Sequence, residues 1–382
     1  MKITLLAKNL KKGLGIVEKI TGRVSTLPIL NNVLIEVKSN FIKLSTTDLE
    51  LGIQWWGLCK TEREGKITVP AKFFSQLINS LNDEKINIEE KNKTVSIESD
   101  AYNAKVKGIS AEDFPIIPVF SKDVFIEINS KKLRDGLAEV IDFTSLSQVR
   151  PEISGVFFFF TDKDLKLVTT DSFRLAEKTV KFSSEKKEDY KNLFKKEISF
   201  ILPQKTAKEL ISILSETEKN TKIYLSESQI MFETSLKETD HPEVNLVSRL
   251  IEGEYPAYQE IIPKESKTKI TAKKEDFVKQ LKVASLFGGK INEIKIKTAP
   301  EKKSFEILSQ DSDLGENRSV ISAKVEGDKD EVSFNWKFLL EGLNHIKSSE
   351  VVFGLQDNKG PAILRPVGDA SYLYVVMPIN PD

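Results

Sequence analysis

Cysteine is almost absent: Cys59 is the only one in 382 residues. A single thiol forms no internal disulfide and cannot build a cysteine-based zinc site, so a reducing, cytoplasmic setting is the expectation. Histidine is nearly as scarce. His241 and His345 are the only two, neither stands in a metal-ligand spacing or an H-E-x-x-H pattern, and both read as surface residues. The chain contains no G-x-S-x-G elbow and no G-x-x-x-x-G-K-[ST] loop, which removes the usual serine-hydrolase and P-loop sites. Gly13-Leu14-Gly15 follows helix-like residues and is no dinucleotide fingerprint. Long apolar runs are missing too: Gly155–Phe160 and Tyr372–Met377 are far too short to span a bilayer. The N-terminal stretch MKITLLAKNLKKGLG has no sustained apolar core and no small-residue cleavage site, so no signal peptide is expected. Nor is there an excess of either charge. A net charge of zero argues weakly against a nucleic-acid binder, although where the charges sit matters more than their sum.

What is present is ordinary in amount and unusual in arrangement. Hydrophobic residues make up 40% and charged residues 30%, a globular composition, and the length suits two or three domains. Three kinds of segment recur, each in threes and in the same order. The first is a strand entering a basic amphipathic helix: ITLLAKNLKKGLGIVEKI, FIEINSKKLRDGLAEVIDF and KITAKKEDFVKQLKVASLF. Apolar residues fall at helical spacing, with Leu10, Leu14 and Val17, then Leu133, Leu137, Val140 and Ile141, then Phe277, Leu281 and Ala284. Asn9 and Ser130 are the expected caps. The second is a strand that ends in aspartate, at Asp48, Asp171 and Asp311. The third is a strand turning into another helix: KITVPAKFFSQLINSL, ISFILPQKTAKELISIL and VSFNWKFLLEGLNHI. Pro70 and Pro203 suit a first helical turn, and Lys72, Lys205 and Lys337 recur in register.

Alternating strand candidates lie between these segments, and acidic-aromatic-proline connectors follow at Glu112–Pro118 and Gly253–Pro263. Boundaries just beyond the connectors give three domains, 1–121, 122–264 and 265–382, each of ordinary size. Strands outnumber helices, with two helices per unit, so the class is α+β. The charged run Ser183–Lys196 reads as a solvated loop. Asp48, Asp171 and Asp311 hold equivalent places in separate repeats, which favours backbone hydrogen bonds at strand ends over a shared metal site. No catalytic residue, metal site or cofactor is expected.

The repeat carries landmarks that resemble a known family. In order they are TLPILNNVLIE (Thr26–Glu36), TTDLEL, AEDFPIIP, RPEISGVFFF (Arg150–Phe159), TTDSFRLAE, EYPAYQEIIP and YVVMPIN (Tyr374–Asn380). Together they resemble the bacterial sliding clamp, the β subunit of DNA polymerase III, along essentially the whole chain. The resemblance implies a DNA clamp fold of three like domains and a head-to-tail homodimer that rings duplex DNA. It implies no enzyme but a processivity factor, with clamp loader, replicative polymerase and other clamp-binding-motif proteins as partners and no membrane.

The charge pattern agrees. The helix segments 7–23, 70–82, 130–142, 203–216, 273–287 and 335–347 hold 17 Lys+Arg against 9 Asp+Glu, a net of +8 in a neutral chain. Lysine on the wet face of an amphipathic helix is common, so this supports the resemblance without establishing it. Candidates for sequence-independent phosphate contact are Lys8, Lys11, Lys12, Arg23, Lys72, Lys131, Lys132, Lys205, Lys279 and Lys337. The resemblance further implies a cleft for short partner peptides, carried onto Ile153, Thr170, Arg174, Leu175, Pro256, Ile261, Val375, Val376, Met377 and Pro378. It places one dimer face near Ala104 and Val106 and the other at Ser285 and Leu286. Two departures stand out. Phe173 occupies the place of the family's usual histidine, and the chain ends Met-Pro-Ile-Asn-Pro-Asp rather than Met-Pro-Met-Arg. The cleft is therefore expected to be more apolar and less basic at its rim. The alternatives are a clamp-like scaffold that binds peptides without encircling DNA and, from another class, a hydrolase with a repeated fold.

Overall fold

Each of the six helix segments contains a helix in the computed structural model, which describes residues 1–21, 27–122, 124–147, 149–161, 164–181, 198–217, 219–236, 241–356 and 360–379. Arg23, the charged run 183–196 and the terminal Asn380, Pro381 and Asp382 lie outside the described residues. The helices are α1 (Ala7–Val17), α2 (Ala71–Ser80), α3 (Ser130–Val140), α4 (Gln204–Leu214), α5 (Lys274–Ser285) and α6 (Trp336–His345). Leu10, Leu14, Val17, Leu133, Leu137, Val140, Phe277, Leu281 and Ala284 are all buried. Fully burying each large apolar side chain contributes about 1.5–3 kcal/mol, which is what fixes the helix faces.

The expected caps do not cap. α1 opens at Ala7 directly from the strand Lys2–Leu6, so Asn9 lies inside it and extended Leu6 takes the cap position with no side-chain bond. At α3 the cap is Asn129, whose Oδ1 accepts the N–H of Lys132 at 3.1 Å. Ser130 instead donates to the Lys219 carbonyl and shares a hydrogen bond with the Thr221 hydroxyl. In both cases a strand runs straight into a helix, so the last extended residue is the cap by geometry.

The described residues pack as two compact units, and the central third of the sequence is divided between them: one holds those within 1–134 and 208–250, the other those within 135–181, 198–207 and 251–379. The reason is that sheets continue from one repeat into the next. In the first unit an eight-stranded sheet runs Ile126–Asn129, Asn220–Leu225, Gln229–Ser235, Pro242–Arg249, Leu51–Leu58, Phe41–Thr47, Asn32–Lys38, Gly65–Pro70. Its two halves join antiparallel where Leu246 faces Ile53. A five-stranded sheet, Lys60–Arg63, Lys2–Leu6, Lys85–Lys91, Thr94–Glu98, Asn103–Lys107, completes that unit. The second unit has a nine-stranded sheet in the order Ile198–Pro203, Gly155–Phe160, Asp164–Thr170, Arg174–Lys181, Tyr372–Val376, Ala362–Pro366, Glu350–Leu355, Thr268–Lys273, Lys324–Glu326. Its halves join antiparallel where Leu175 faces Val375. A four-stranded sheet, Gly315–Ser322, Ser304–Asp311, Glu293–Ala299, Glu331–Asn335, lies in the same unit.

The aspartate at each strand end does the same job three times. Asp48 Oδ1 accepts the N–H groups of Glu50 and Leu51, at 3.1 and 2.8 Å. Asp171 Oδ1 accepts those of Phe173 and Arg174, both at 3.0 Å. Asp311 Oδ1 accepts those of Asp313 and Leu314, at 2.9 and 3.0 Å. The first two copies add a threonine: Thr47 and Thr170 accept from the N–H two residues on and donate to the carbonyls of Leu51 and Arg174. One threonine earlier, Thr46 and Thr169 donate to the carbonyls of Val17 and Val140 at the ends of α1 and α3, both at 2.6 Å. The TTD triplet is thus a turn and a helix stop written together.

Candidate functional site

Strand alternation sorts the candidate cleft residues onto two faces of the nine-stranded sheet. Thr170 lies opposite Leu175, and Leu175 opposite Val375, so these three share one face. Arg174 lies opposite Val376, and this pair points the other way.

The Leu175 face is a sealed apolar floor. Leu175 and Val375 are only 3% and 1% exposed and cluster with Val168, Tyr258 and Ile363, while Phe157, Tyr255, Ile262 and Leu373 pack against them. Tyr258 comes from the connector, on the short helical turn Tyr258–Glu260, and donates its hydroxyl to Glu177 Oε2 at 2.7 Å. Burial and that bond raise the phenol above its ordinary range. Tyr255 stacks on Phe157 with ring centroids 4.5 Å apart. The connector is therefore pinned across the strands, which sets half-buried Pro256 and exposed Ile261 beside the floor.

The Arg174 face is aromatic and charged. The guanidinium carbon sits 4.6 Å from the Phe338 ring centroid and 5.2 Å from that of Phe143. Nε donates to Asp171 Oδ2 at 2.9 Å, and Nη1 donates to the Glu341 carboxylate. Burial of the side chain, 12% exposed, works against its charge, but the two carboxylates outweigh it and keep the arginine cationic. α6 can carry Phe338 and Glu341 to this place because Gly342 lets it lie against Tyr374. A Cβ there would fall 2.5 Å from the ring. Tyr374 in turn donates its hydroxyl to the Phe338 carbonyl at 2.9 Å.

The remaining cleft candidates flank the strand ends. Phe173, 61% exposed, accepts the Met377 N–H on its carbonyl at 2.8 Å and lies 6.3 Å from the Phe338 ring. Met377 and Pro378 are half-buried, and the chain beyond them is tied down by the Ile379 N–H donating to the Ser333 carbonyl. Ile153 is buried in the turn Pro151–Ile153. That turn reaches the Asp171 turn through Arg150, which donates to the Ser172 hydroxyl at 3.1 Å. Sequence reasoning missed Phe143, Tyr258, Phe338 and Glu341. Tyr258 stands in the aromatic connector, which could have pointed to it, while nothing local marks Phe143, Phe338 or Glu341, because each acts across a distance in sequence that only the sheet and α6 close.

The candidate phosphate-contacting lysines fall into groups. Lys8, Lys72, Lys131 and Lys279 are exposed and make no hydrogen bond or ion pair through their side chains among the described residues. Lys132 and Lys337 are exposed as well, and Lys337 Nζ stands 5.5 Å from the Trp336 ring centroid. Lys205 is half-buried. Lys11 and Lys12 are half-buried and engaged with other parts of the protein. Lys11 donates to the carbonyls of Asn79 and Leu81 at the end of α2, where a cation also suits the helix dipole, and Lys12 pairs with Glu243.

The dimer candidates occupy two different kinds of surface. Ala104 and Val106 lie on Asn103–Lys107, the edge strand of the five-stranded sheet, with Val106 buried beneath it. Such an edge keeps backbone donors and acceptors open for another chain. Ser285 closes α5, and Leu286 follows it 69% exposed.

Comparison with known proteins covers the same ground from end to end. The chain is 26% identical to the "Beta sliding clamp" of Synechococcus elongatus over 386 residues, covering 100% of this chain and 99% of that protein. The crystal structure of the DNA polymerase sliding clamp from Bacillus subtilis superposes with a TM-score of 0.91 at 25% identity, covering 100% of both chains. A sliding clamp from Bartonella birtlesii bound to griselimycin gives a TM-score of 0.89 at 27% identity, again over 100% of both chains. Residues 1–118, 127–257 and 259–380 match in turn the N-terminal, central and C-terminal domains of the DNA polymerase III beta subunit, and with nearly every residue so accounted for, the chain belongs to that family.

Proposed function

We infer that the chain is a DNA sliding clamp and propose that two copies close head to tail into a ring around duplex DNA, tethering the replicative polymerase and other partners through the site around Leu175 and Arg174. The observation that carries this reading is the end-to-end match to proteins named beta sliding clamp. The net +8 on the helix segments supports a DNA-facing role for them, because positive charge attracts phosphate without reading bases. Lysine suits sliding better than arginine does, since a mobile point charge with intervening water grips phosphate less rigidly than a bidentate fork. Exposed Lys8, Lys72, Lys131, Lys132, Lys279 and Lys337 lead this set, with Lys205 beside them. Lys11 and Lys12 serve it by holding their helix in place. Arg23 completes the candidates.

In this reading the protein is a non-catalytic processivity subunit working in the cytoplasm, and repeat boundaries near residues 121 and 264 separate its three clamp domains. No helix among the described residues is long and apolar enough to cross a membrane. Exposed Phe173 and Ile261 with half-buried Pro256, Met377 and Pro378, around the floor that Tyr258 closes, would receive the leucine or phenylalanine anchors of a partner peptide, and Met377 adapts its shape to more than one of them. A second copy would meet Leu286 and the edge strand Asn103–Lys107 with two different surfaces, as a closed head-to-tail ring requires.

The test is topological. The protein is loaded onto nicked circular duplex with a clamp loader and ATP, washed at high salt, and the circle is then cut once. Retention on circles and release after cutting is the expected result. Equal loss from circular and linear DNA with an active loader would instead leave a peptide-binding scaffold.

A further inference from the structure

Arg174 is served by two carboxylates of different character. Asp171 cannot leave: its Oδ1 holds the turn through the N–H groups of Phe173 and Arg174 while its Oδ2 accepts from the guanidinium. Glu341 stands on α6 with its side chain 47% exposed, and among the described residues Arg174 is its carboxylate's only hydrogen-bond or ion-pair partner. Its backbone carbonyl is separately engaged, by His345 Nδ1 at 2.8 Å. One partner is thus structural and the other exchangeable, and the exchangeable one is half-exposed on the helix whose Phe338 ring lies 6.3 Å from that of exposed Phe173.

We propose that Glu341 is a specificity-determining residue of this site, an internal carboxylate that occupies Arg174 and selects against partner peptides carrying a carboxylate next to their apolar anchors. The proposal rests on the reading of the site as a peptide cleft. A ligand carboxylate approaching Arg174 would have to displace Glu341 or lie beside it. Either way it meets like charge and gains no unused cation. A neutral side chain incurs neither cost. Phe173 works in the same direction: a ring beside Phe338 adds apolar surface and no positive charge to the rim. Discrimination in this form is repulsive, and it leaves the apolar rim at exposed Phe173 and half-buried Met377, on the Arg174 side, open to the anchors.

The experiment uses the full chain and two fluorescein-labelled peptides with identical leucine and phenylalanine anchors, differing only in Asp or Asn between them. Fluorescence anisotropy gives the ratio of the Asp-peptide Kd to the Asn-peptide Kd for wild type, Glu341→Gln and Glu341→Lys. Because the carboxylate is half-exposed and screened, Glu341→Gln is expected to lower the ratio about two- to fivefold at low salt, with the effect shrinking as salt rises. Glu341→Lys is expected to lower it further. Binding of both peptides with a ratio unmoved by either variant overturns the assignment of Glu341 and leaves the cleft standing. If neither peptide binds any of the three proteins, the cleft reading fails and the assignment falls with it. Melting curves within a few degrees of wild type exclude unfolding of the variants.

Discussion

Replacing Asp171 by alanine should destabilise the protein more than the same change at Asp311, although both residues end a repeated strand and hold the same turn. At Asp311 the loss is two backbone hydrogen bonds, at 2.9 and 3.0 Å, in an exposed turn. By analogy with a lost helix cap this costs about 1 kcal/mol. At Asp171 the same two bonds go, both at 3.0 Å, and so does the 2.9 Å bond to Arg174 Nε. The guanidinium, 12% exposed and wedged between Phe143 and Phe338, then keeps only Glu341 as a carboxylate partner. A charge-assisted bond lost from a mostly buried group adds about 1–2 kcal/mol, so Asp171→Ala should cost about 2–3 kcal/mol in all. Both changes remove one negative charge, so the general electrostatic effect cancels in the comparison. Urea unfolding followed by circular dichroism measures it, with midpoints compared between variants because two compact units need not unfold in one step. Equal midpoints for the two variants would refute the claim that Arg174 depends on Asp171.

Two glycines two residues apart in α1 should respond in opposite ways to alanine. A Cβ on Gly13 would lie 2.3 Å from the Trp55 ring, so Gly13→Ala should cost about 1–3 kcal/mol. Gly15 has nothing within 4 Å, so Gly15→Ala should stabilise by about 0.5–1 kcal/mol in thermal melts. The hydrogen bonds from Ser371, aided by Lys178 and opposed by partial burial, hold the Asp369 carboxyl below its ordinary 3.8. Its stabilising contribution is present above that value and is lost as pH falls through the depressed one. The melting-temperature gap between wild type and Asp369→Asn should therefore close in acid, and a gap that widens there would contradict the sign. Leu286→Asp is expected to yield folded monomers by light scattering, and a variant that stays dimeric places the interface elsewhere.

The local periodicities were legible in the chain itself. Helical spacing marked Leu10, Leu14 and Val17 as one face, and the recurrence of Asp48, Asp171 and Asp311 marked three turns whose bonds depend only on residues two and three positions away. Such features survive translation from sequence because their hydrogen-bond partners are neighbours. Helix starts were less legible. Whether Asn129 or Ser130 caps α3 depends on where the preceding strand stops pairing, and that is decided by its partner Asn220–Leu225.

The site shows the same division. The aspartate turn between Thr170 and Arg174 is written in the sequence, and so is the candidacy of Arg174 by resemblance. What surrounds them is not. Val375 reaches Leu175 because two repeats continue one sheet, Tyr258 seals that face through a bond to Glu177 across 81 residues, and Glu341 reaches Arg174 across 167. Strand order and helix docking are settled by which apolar faces bury each other, a competition over the whole chain that no window of sequence contains. The sequence alone therefore determined the repeat, its turns and its family, while only the tertiary structure decided which carboxylates and rings Arg174 would meet.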